Sequence, residues 1–391
     1  MNSKPHILFI SSWYPNRKQP THGIFNRHFA EAAAQHHRVS VIHISSEDHL
    51  KTEFEFDQVV EKDIFSIQVY YRKVNSLLPL WSAYLKRKRY LKAAEQAYGL
   101  LLQKTGKPDL IHLNVVMPAG IAVLHLYQKT GIPFVVNEGW TGYMKADGRY
   151  KGWFMKHFTR RVLSPASRIL PVSEDLKTAM QAHGLKGHYH VLPNVVQCGV
   201  FVPGEKHQDP VTRFIHVSTL DPLQKNVEGI ILALKTALET EPRLQLQIAG
   251  DGENKAALEK RVKDLNLQNQ VSFLGLLGET ELARRLGESD ALVMFSQFES
   301  FGVVIGEALA CNTAVICSSC GGLGNLVKDE MGIQVQPGNV TQLTQALLHL
   351  SGNKSFFRSE KPRQFILERF SKDVIASEMR TLYGEVLREK R

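Results

Sequence analysis

FSQFESFGVVIGEALACNTAVICSSCGGLGNLV, residues 295–327, is the stretch from which the rest of the chain is best read. Ala291 to Phe295, ahead of it, is an apolar run of strand length, and Ala314 to Cys317 is another. Between them Val303 to Ala310 has helical composition, and Gly302 can free the turn before it. Strand, short loop, helix and strand is the repeat of a parallel α/β sheet. The helix start then faces a cleft, where unpaired backbone N–H groups and the helix dipole together favour an anion. Glu299 and Glu307 lie eight positions apart on this block. Two such acids are ordinarily solvated surface groups. Beside an anion site, a carboxylate can instead accept hydrogen bonds from sugar hydroxyls.

Working outward, the 391 residues exceed what one hydrophobic core usually covers, so two domains are expected. A hydrophobic fraction of 43% suits a globular protein and excludes wholesale disorder. No apolar run approaches the roughly 20 residues of a membrane span, and the short run in MNSKPHILFISS reads as a first strand rather than a signal peptide. A cytoplasmic protein is expected. Four cysteines, Cys198, Cys311, Cys317 and Cys320, fit a reducing compartment. Cys317 and Cys320 form a C-x-x-C, but no second pair or nearby His completes a zinc site, so no metal is expected. The net charge of +10 is uneven: residues 1–200 hold 26 Lys+Arg against 14 Asp+Glu, the remainder 22 against 24. A basic first half suits an anionic partner. No zinc-finger, RNA-recognition or basic-zipper pattern appears, so nucleic acid is not expected.

The periodicity predicts strands at His6–Ser12, Val39–Ile44, Ile67–Tyr71, Asp109–Asn114, Pro133–Asn137 and Arg168–Val172, with helices around Ile24–His36 and Pro79–Lys104. Residues 45–65 read as an irregular, partly acidic excursion. The long helix carries a rough apolar stripe, Leu80, Tyr84, Leu91, Tyr98 and Leu102, and the run Lys86-Arg87-Lys88-Arg89. That run is either a solvated face or, beside aromatic residues, a membrane-surface helix. Residues 193–210 lose periodicity and gain Pro and Gly, which marks a linker. The pattern then restarts with strands at Phe214–Ser218, Leu244–Ala249 and Val271–Leu274, a helix at Val227–Leu238, and a last helix from Ser371 to Arg391. Gly250-Asp251-Gly252 ends a strand, but Lys255 occupies the third glycine position of a dinucleotide fingerprint, which leaves that motif incomplete.

The block 295–327 resembles the E-x7-E motif of retaining glycosyltransferases, family 4 in particular, and the similarity extends along nearly the whole chain. The resemblance implies the GT-B architecture: an α/β fold of two facing Rossmann-like domains with a C-terminal helix crossing back to the first. The expected division is 1–200 plus the returning helix 373–391 on the acceptor side, and 201–372 on the nucleotide-sugar side. By position, Glu307 would hold the donor ribose and Glu299 the transferred sugar. Backbone N–H groups at Phe301, Gly302 and Val303 would line the sugar–phosphate side, with Gly250 also on the donor side. Gly23 matches a loop glycine that lets the backbone approach the donor diphosphate, and Gly321-Gly322 the glycine pair that admits the donor. Lys225, in VSTLDPLQKN, matches the lysine that binds the diphosphate, where a cation would stabilise charge as the glycosidic bond breaks.

The family is thought to react on one face of the sugar, the donor phosphate oxygen taking the acceptor proton, so no protein nucleophile is named. No D-x-D occurs, which agrees with a metal-independent enzyme that needs no cofactor beyond its UDP- or GDP-sugar. Several positions depart from the family pattern. Gly139, within VVNEGWTGY, stands where the active-site His belongs, and Thr219 replaces an Arg that binds phosphate. Asn325 replaces a Glu after the glycine pair, Asn312 and Ala314 a Gly and a Pro, and Gln197 an Asp. His112 and His125 are possible substitutes for the missing imidazole. The resemblance implies transfer of a hexose-type sugar to a saccharide or lipid-linked acceptor in bacterial surface-polysaccharide synthesis, peripherally at the inner face of the plasma membrane. The alternative is a catalytically impaired sugar-nucleotide-binding or scaffold protein. An epimerase or phosphorylase of the same architecture is a third reading, without a pyridoxal-binding motif.

Overall fold

The computed structural model describes residues 4–73 and 79–389, Pro79 and Leu80 through their backbone only. The first sheet contains β1 (His6–Ser11), β2 (Arg38–Glu47), β3 (Phe54–Glu61), β4 (Ile64–Arg72), β5 (Leu110–Asn114), β6 (Phe134–Glu138) and β7 (Arg168–Pro171). Their order is β3-β4-β2-β1-β5-β6-β7, parallel except for the antiparallel edge strand β3. Its helices are α1 (Ile24–Ala33), α2 (Pro79–Thr105), α3 (Gly120–Thr130), α4 (Trp153–Leu163) and α5 (Glu174–Ala182).

The second sheet is wholly parallel, with β8 (Thr212–Val217), β9 (Leu244–Ala249), β10 (Val271–Gly275), β11 (Ala291–Met294), β12 (Ala314–Ser318) and β13 (Gly332–Val335) in the order β10-β9-β8-β11-β12-β13. Around it lie α6 (Val227–Leu238), α7 (Lys255–Asp264), α8 (Glu279–Glu288), α9 (Val303–Ala310), α10 (Val340–Gly352) and α11 (Lys361–Phe370). The last helix, α12 (Lys372–Glu389), returns to the first sheet. There Ile375, Met379, Leu382, Tyr383 and Val386 pack in one core with Ile7, Phe9, Phe29 and Ala33.

The side chains explain this layering. The strands of β1 and β5 are buried on both faces, Ile7 and Phe9 toward α1 and α12, Leu8 and Ile10 toward α2 and α3. Such strands read as continuous apolar runs because helices cover both faces. The two crossings between the lobes lie side by side: the Val196 N–H donates to the Phe370 carbonyl at 2.8 Å. Arg363 braces them by donating to the carbonyls of Phe201 (2.8 Å) and Cys198 (3.1 Å).

Three expectations need correction. Residues 45–65 are not irregular, since the end of β2, all of β3 and the start of β4 occupy them. β3 was hidden because it is an edge strand whose second half, Gln58 to Glu61, is exposed and mixes Val with acids. The apolar stripe on α2 is also displaced. Tyr84 and Leu102 are exposed, while Tyr90, Ala93, Ala94, Ala97, Tyr98 and Leu101 face the core. Alanines let the helix lie close to the sheet, and a reading that follows bulky residues misses them. The Leu80 side chain lies outside the described residues. β13 was not expected at all, being only four residues long and carrying Gln334.

Candidate active site

Each sheet reverses its strand order once, between β1 and β5 in the first and between β8 and β11 in the second. Loops leaving the carboxyl ends of such strands diverge and open a crevice. The loop after β8 carries Thr219 to Lys225, and the loop after β11 carries Phe295 to Gly302. The topology therefore brings Lys225 and Glu299 together, 74 residues apart in sequence: the Lys225 ammonium and the Glu299 carboxylate form an ion pair with both side chains largely buried. Ser296 Oγ donates to the same carboxylate at 2.9 Å, and Gln224 Nε2 to its other oxygen at 3.4 Å. The turn that presents Lys225 is held by Asp221, whose carboxylate accepts from the N–H groups of Leu223 (2.9 Å) and Gln224 (3.1 Å). This cation and acid can exchange each other for a diphosphate and a sugar hydroxyl, the cation keeping an anionic partner and the carboxylate a hydrogen-bond donor.

Immediately beyond, Gly302 adopts φ 81° as the N-cap of α9, a conformation that L side chains avoid. No hydrogen bond involves the N–H groups of Phe301, Gly302 or Val303 among the described residues. Three free donors at a helix start form an anion-directed cradle. Glu307 sits on the next turn, half-buried and without a hydrogen-bond partner for its carboxylate among the described residues. Burial raises that carboxyl to about 8, and the charge of Glu279 adds to the rise. Glu279, at the first turn of α8, pairs across the cleft with the buried His28 of α1, Nε2 to Oε1 at 3.0 Å. That hydrogen bond holds the Glu279 carboxyl below its ordinary value.

The glycines divide by what crowds them. A Cβ on Gly321 would stand 2.6 Å from the Glu299 carbonyl oxygen and Cβ, and one on Gly322 would stand 3.0 Å from the Phe301 ring. The pair therefore lies directly on the loop between the two acids. Gly23 has φ 66° and would place a Cβ 2.5 Å from the Trp13 carbonyl. Gly250 is packed against the Ser218 carbonyl, where a Cβ would stand at 1.7 Å, and its N–H donates to the Gly275 carbonyl at 2.7 Å. The Gly250 N–H is thus occupied within the fold.

Of the departures, Asn312 has a local explanation and nothing in the structure explains Gly139 or Thr219. Asn312 adopts φ 51° just after α9, where a helix commonly ends in a left-handed residue, and Asn tolerates this best after Gly. Gly139 has ordinary backbone and room for a Cβ, which would meet Val172 at 3.7 Å in ordinary contact. Thr219 is exposed at the cleft. Neither histidine substitutes for an imidazole at 139. His112 is fully buried, stacked on Phe9 and bonded to the Tyr383 hydroxyl at 2.6 Å, and burial lowers it to about 3. His125 pairs with Glu95 at 2.7 Å on the outer side of α2 and α3. The C-x-x-C thiols face carbonyls, Cys317 that of Gly324 and Cys320 that of Ser296, and burial raises both.

Sequence reasoning missed Glu138, which is fully buried. It accepts from the N–H groups of Val116 (3.1 Å), Gly139 and Trp140 (3.0 Å each) and from the Tyr143 hydroxyl (3.2 Å). Burial pushes its carboxyl up while these donors oppose the shift. Its position in the VVNEGWTGY segment was the available signal. His28, Glu279, Ser173 and Asp175 carried none.

The family described as glycosyl transferases group 1 matches residues 203–367, and the glycosyl transferase 4-like domain matches residues 24–195. N-acetyl-alpha-D-glucosaminyl L-malate synthase of Bacillus anthracis is 29% identical over 178 residues, which cover 45% of this chain and 46% of that protein. The chain thus spans just under half the length of that relative. Among solved structures, sucrose-phosphate synthase from Thermosynechococcus elongatus superposes with a TM-score of 0.79 at 20% identity, over 99% of this chain and 100% of that one. HepE of Anabaena, solved in complex with UDP, gives 0.71 at 16% identity over 97% and 100%.

Proposed function

Because this chain belongs to the family-4 type of glycosyltransferases and has the GT-B fold, we propose that it moves a hexose-type sugar from a UDP- or GDP-sugar to a saccharide or lipid-linked acceptor of the bacterial surface, with retention and without a metal. The reading is carried by the Lys225–Glu299 pair beside the free N–H groups of Phe301, Gly302 and Val303. In the reaction the bond from the anomeric carbon to the diphosphate oxygen breaks, and one to the acceptor oxygen forms. The acceptor proton passes to a donor phosphate oxygen. Lys225 neutralises charge growing on the diphosphate, the α9 start does the same with dipoles, and Glu299 orients the sugar through its hydroxyls. Glu307 takes the ribose. Lys225→Ala and Glu299→Gln should each lower transfer about a hundredfold. Full transfer by both variants would contradict the assignment.

The acceptor side of the reading rests on the surface of the first domain. Residues 79–94 and 149–164 each carry five cations and no acid, so together they match the net charge of +10. Trp81 (55% exposed), Tyr84 (53%), Trp153 (76%) and Phe154 (66%) stand at the starts of α2 and α4. Helices that follow parallel strands begin at the strands' carboxyl edge, so both aromatic groups lie on the cleft side. Lys86, Arg87, Lys88, Lys151, Lys156, Arg160 and Arg161 have no acidic partner among the described residues. Exposed aromatics among free cations suit an anionic lipid surface. No helix among the described residues is long and apolar enough to cross a membrane. The protein should co-sediment with phosphatidylglycerol vesicles, weakly or not at all with phosphatidylcholine, and Trp153→Ala/Phe154→Ala should reduce binding at least about tenfold. Equal binding to both lipids, or to neither, would contradict this docking.

A further inference from the structure

The start of α5 belongs to the first sheet, yet three of its contacts reach the loops around Glu299. Ser173 caps α5 by accepting from the Leu176 N–H at 3.2 Å, and its hydroxyl donates to the Ser300 carbonyl at 2.6 Å. A Cβ on Gly322 would stand 2.9 Å from Ser173 Cβ. Two residues into the helix, the Asp175 carboxylate accepts from Asn325 Nδ2 at 2.6 Å. The groups gripped are Ser300, directly ahead of the free N–H donors, and the segment from Gly322 to Asn325, which lies upon Phe301 and follows the Gly321 that lies upon Glu299.

We propose that Ser173 and Asp175 are positioning residues for the donor-sugar loop, seated on Ser300, Gly322 and Asn325 when the cleft is closed, and that Asn stands at 325 because a carboxylate there would oppose Asp175. The inference rests on reading the Glu299 loop as the donor-sugar site. It gives two sequence features a different physical role. Gly322 is small to let Ser173 approach, and Asn325 supplies the N–H that Asp175 needs, which Glu cannot do when ionised. Asp175 also belongs at this place for the helix itself, as an acid in the first turn of α5. A Glu at 325 would therefore set two like charges together beside the loop, rather than merely lose a bond.

The test compares wild type, Asn325→Glu and the double variant Asp175→Asn/Asn325→Glu, in which the amide and carboxylate are exchanged. Each is titrated calorimetrically with UDP and with GDP, and release of nucleotide from the corresponding sugar donors is followed for kcat and KM. Asn325→Glu should keep its melting temperature and its nucleotide affinity, because the bond lost is exposed and the nucleotide groups lie elsewhere. Its kcat should fall about tenfold through repulsion between neighbouring carboxylates. The double variant should regain most of that loss. Unchanged turnover in Asn325→Glu, or a double variant as slow as the single one, overturns the inference. Wild-type protein that binds neither nucleotide would instead refute the donor-site reading on which it rests.

Discussion

At the scale of the residue, the Glu307 carboxyl links the candidate site to pH. Its shift upward to about 8, through burial and then the charge of Glu279, favours the protonated form at neutral pH. The folded protein then binds a proton there that the unfolded chain has released. Its contribution to stability is complete below the ordinary carboxylate value of 4.5 and is lost as pH rises through about 8. Ribose hydroxyls donating to the carboxylate would favour its charged form. Nucleotide binding at pH 7 should therefore release part of a proton, seen as a dependence of the binding heat on the buffer's ionisation enthalpy. Glu307→Gln should remove that dependence. A buffer-independent heat in the wild type would contradict the assignment of Glu307 to the ribose. Glu299 and Glu307 were singled out by their spacing and Lys225 by the resemblance of its segment, and the fold brings Lys225 against Glu299. His28 and Glu279 were not, because their pairing exists only where two distant helices meet across the cleft.

Among elements, the β1–α1 loop shows how one backbone conformation can set a site. Gly23 turns the chain into α1 at φ 66°, and the Asn26 side chain then donates to the Trp13 carbonyl at 2.7 Å. Gly23→Ala would add the cost of a left-handed conformation to a 2.5 Å approach to the Trp13 carbonyl carbon. Together these should destabilise the first domain by about 3 kcal/mol, measurable as a shift of the denaturant midpoint. A variant as stable as wild type would show that the loop is free to relax. The elements best read from sequence lie in the second domain. Val227–Leu238, Leu244–Ala249 and Val303–Ala310 occur with the predicted bounds, because each places its buried apolar residues in the period of its own secondary structure. β3 and the core face of α2 were obscured for opposite reasons, one by exposure and the other by alanine.

For the whole molecule, two sheets with one reversal each place the loops after β8 and β11 side by side, and α12 ties the chain's end back to β5 through Tyr383 and His112. The fold class was legible because strand and helix alternate twice around a Pro- and Gly-rich linker. The contact of α5 with the loops of the other lobe was not, since it depends on Ser173, Asp175 and Asn325 lying within 3 Å of partners more than 100 residues away. On the proposed function, the second domain holds a nucleoside-diphosphate sugar between Lys225, the start of α9 and Glu307. Calorimetric titration of the purified protein with UDP and GDP, each with EDTA present, tests it most directly. One nucleotide should bind in EDTA as tightly as without it, and Lys225→Ala should weaken that binding at least about tenfold. No binding of either nucleotide, or binding untouched by Lys225→Ala, would contradict the account.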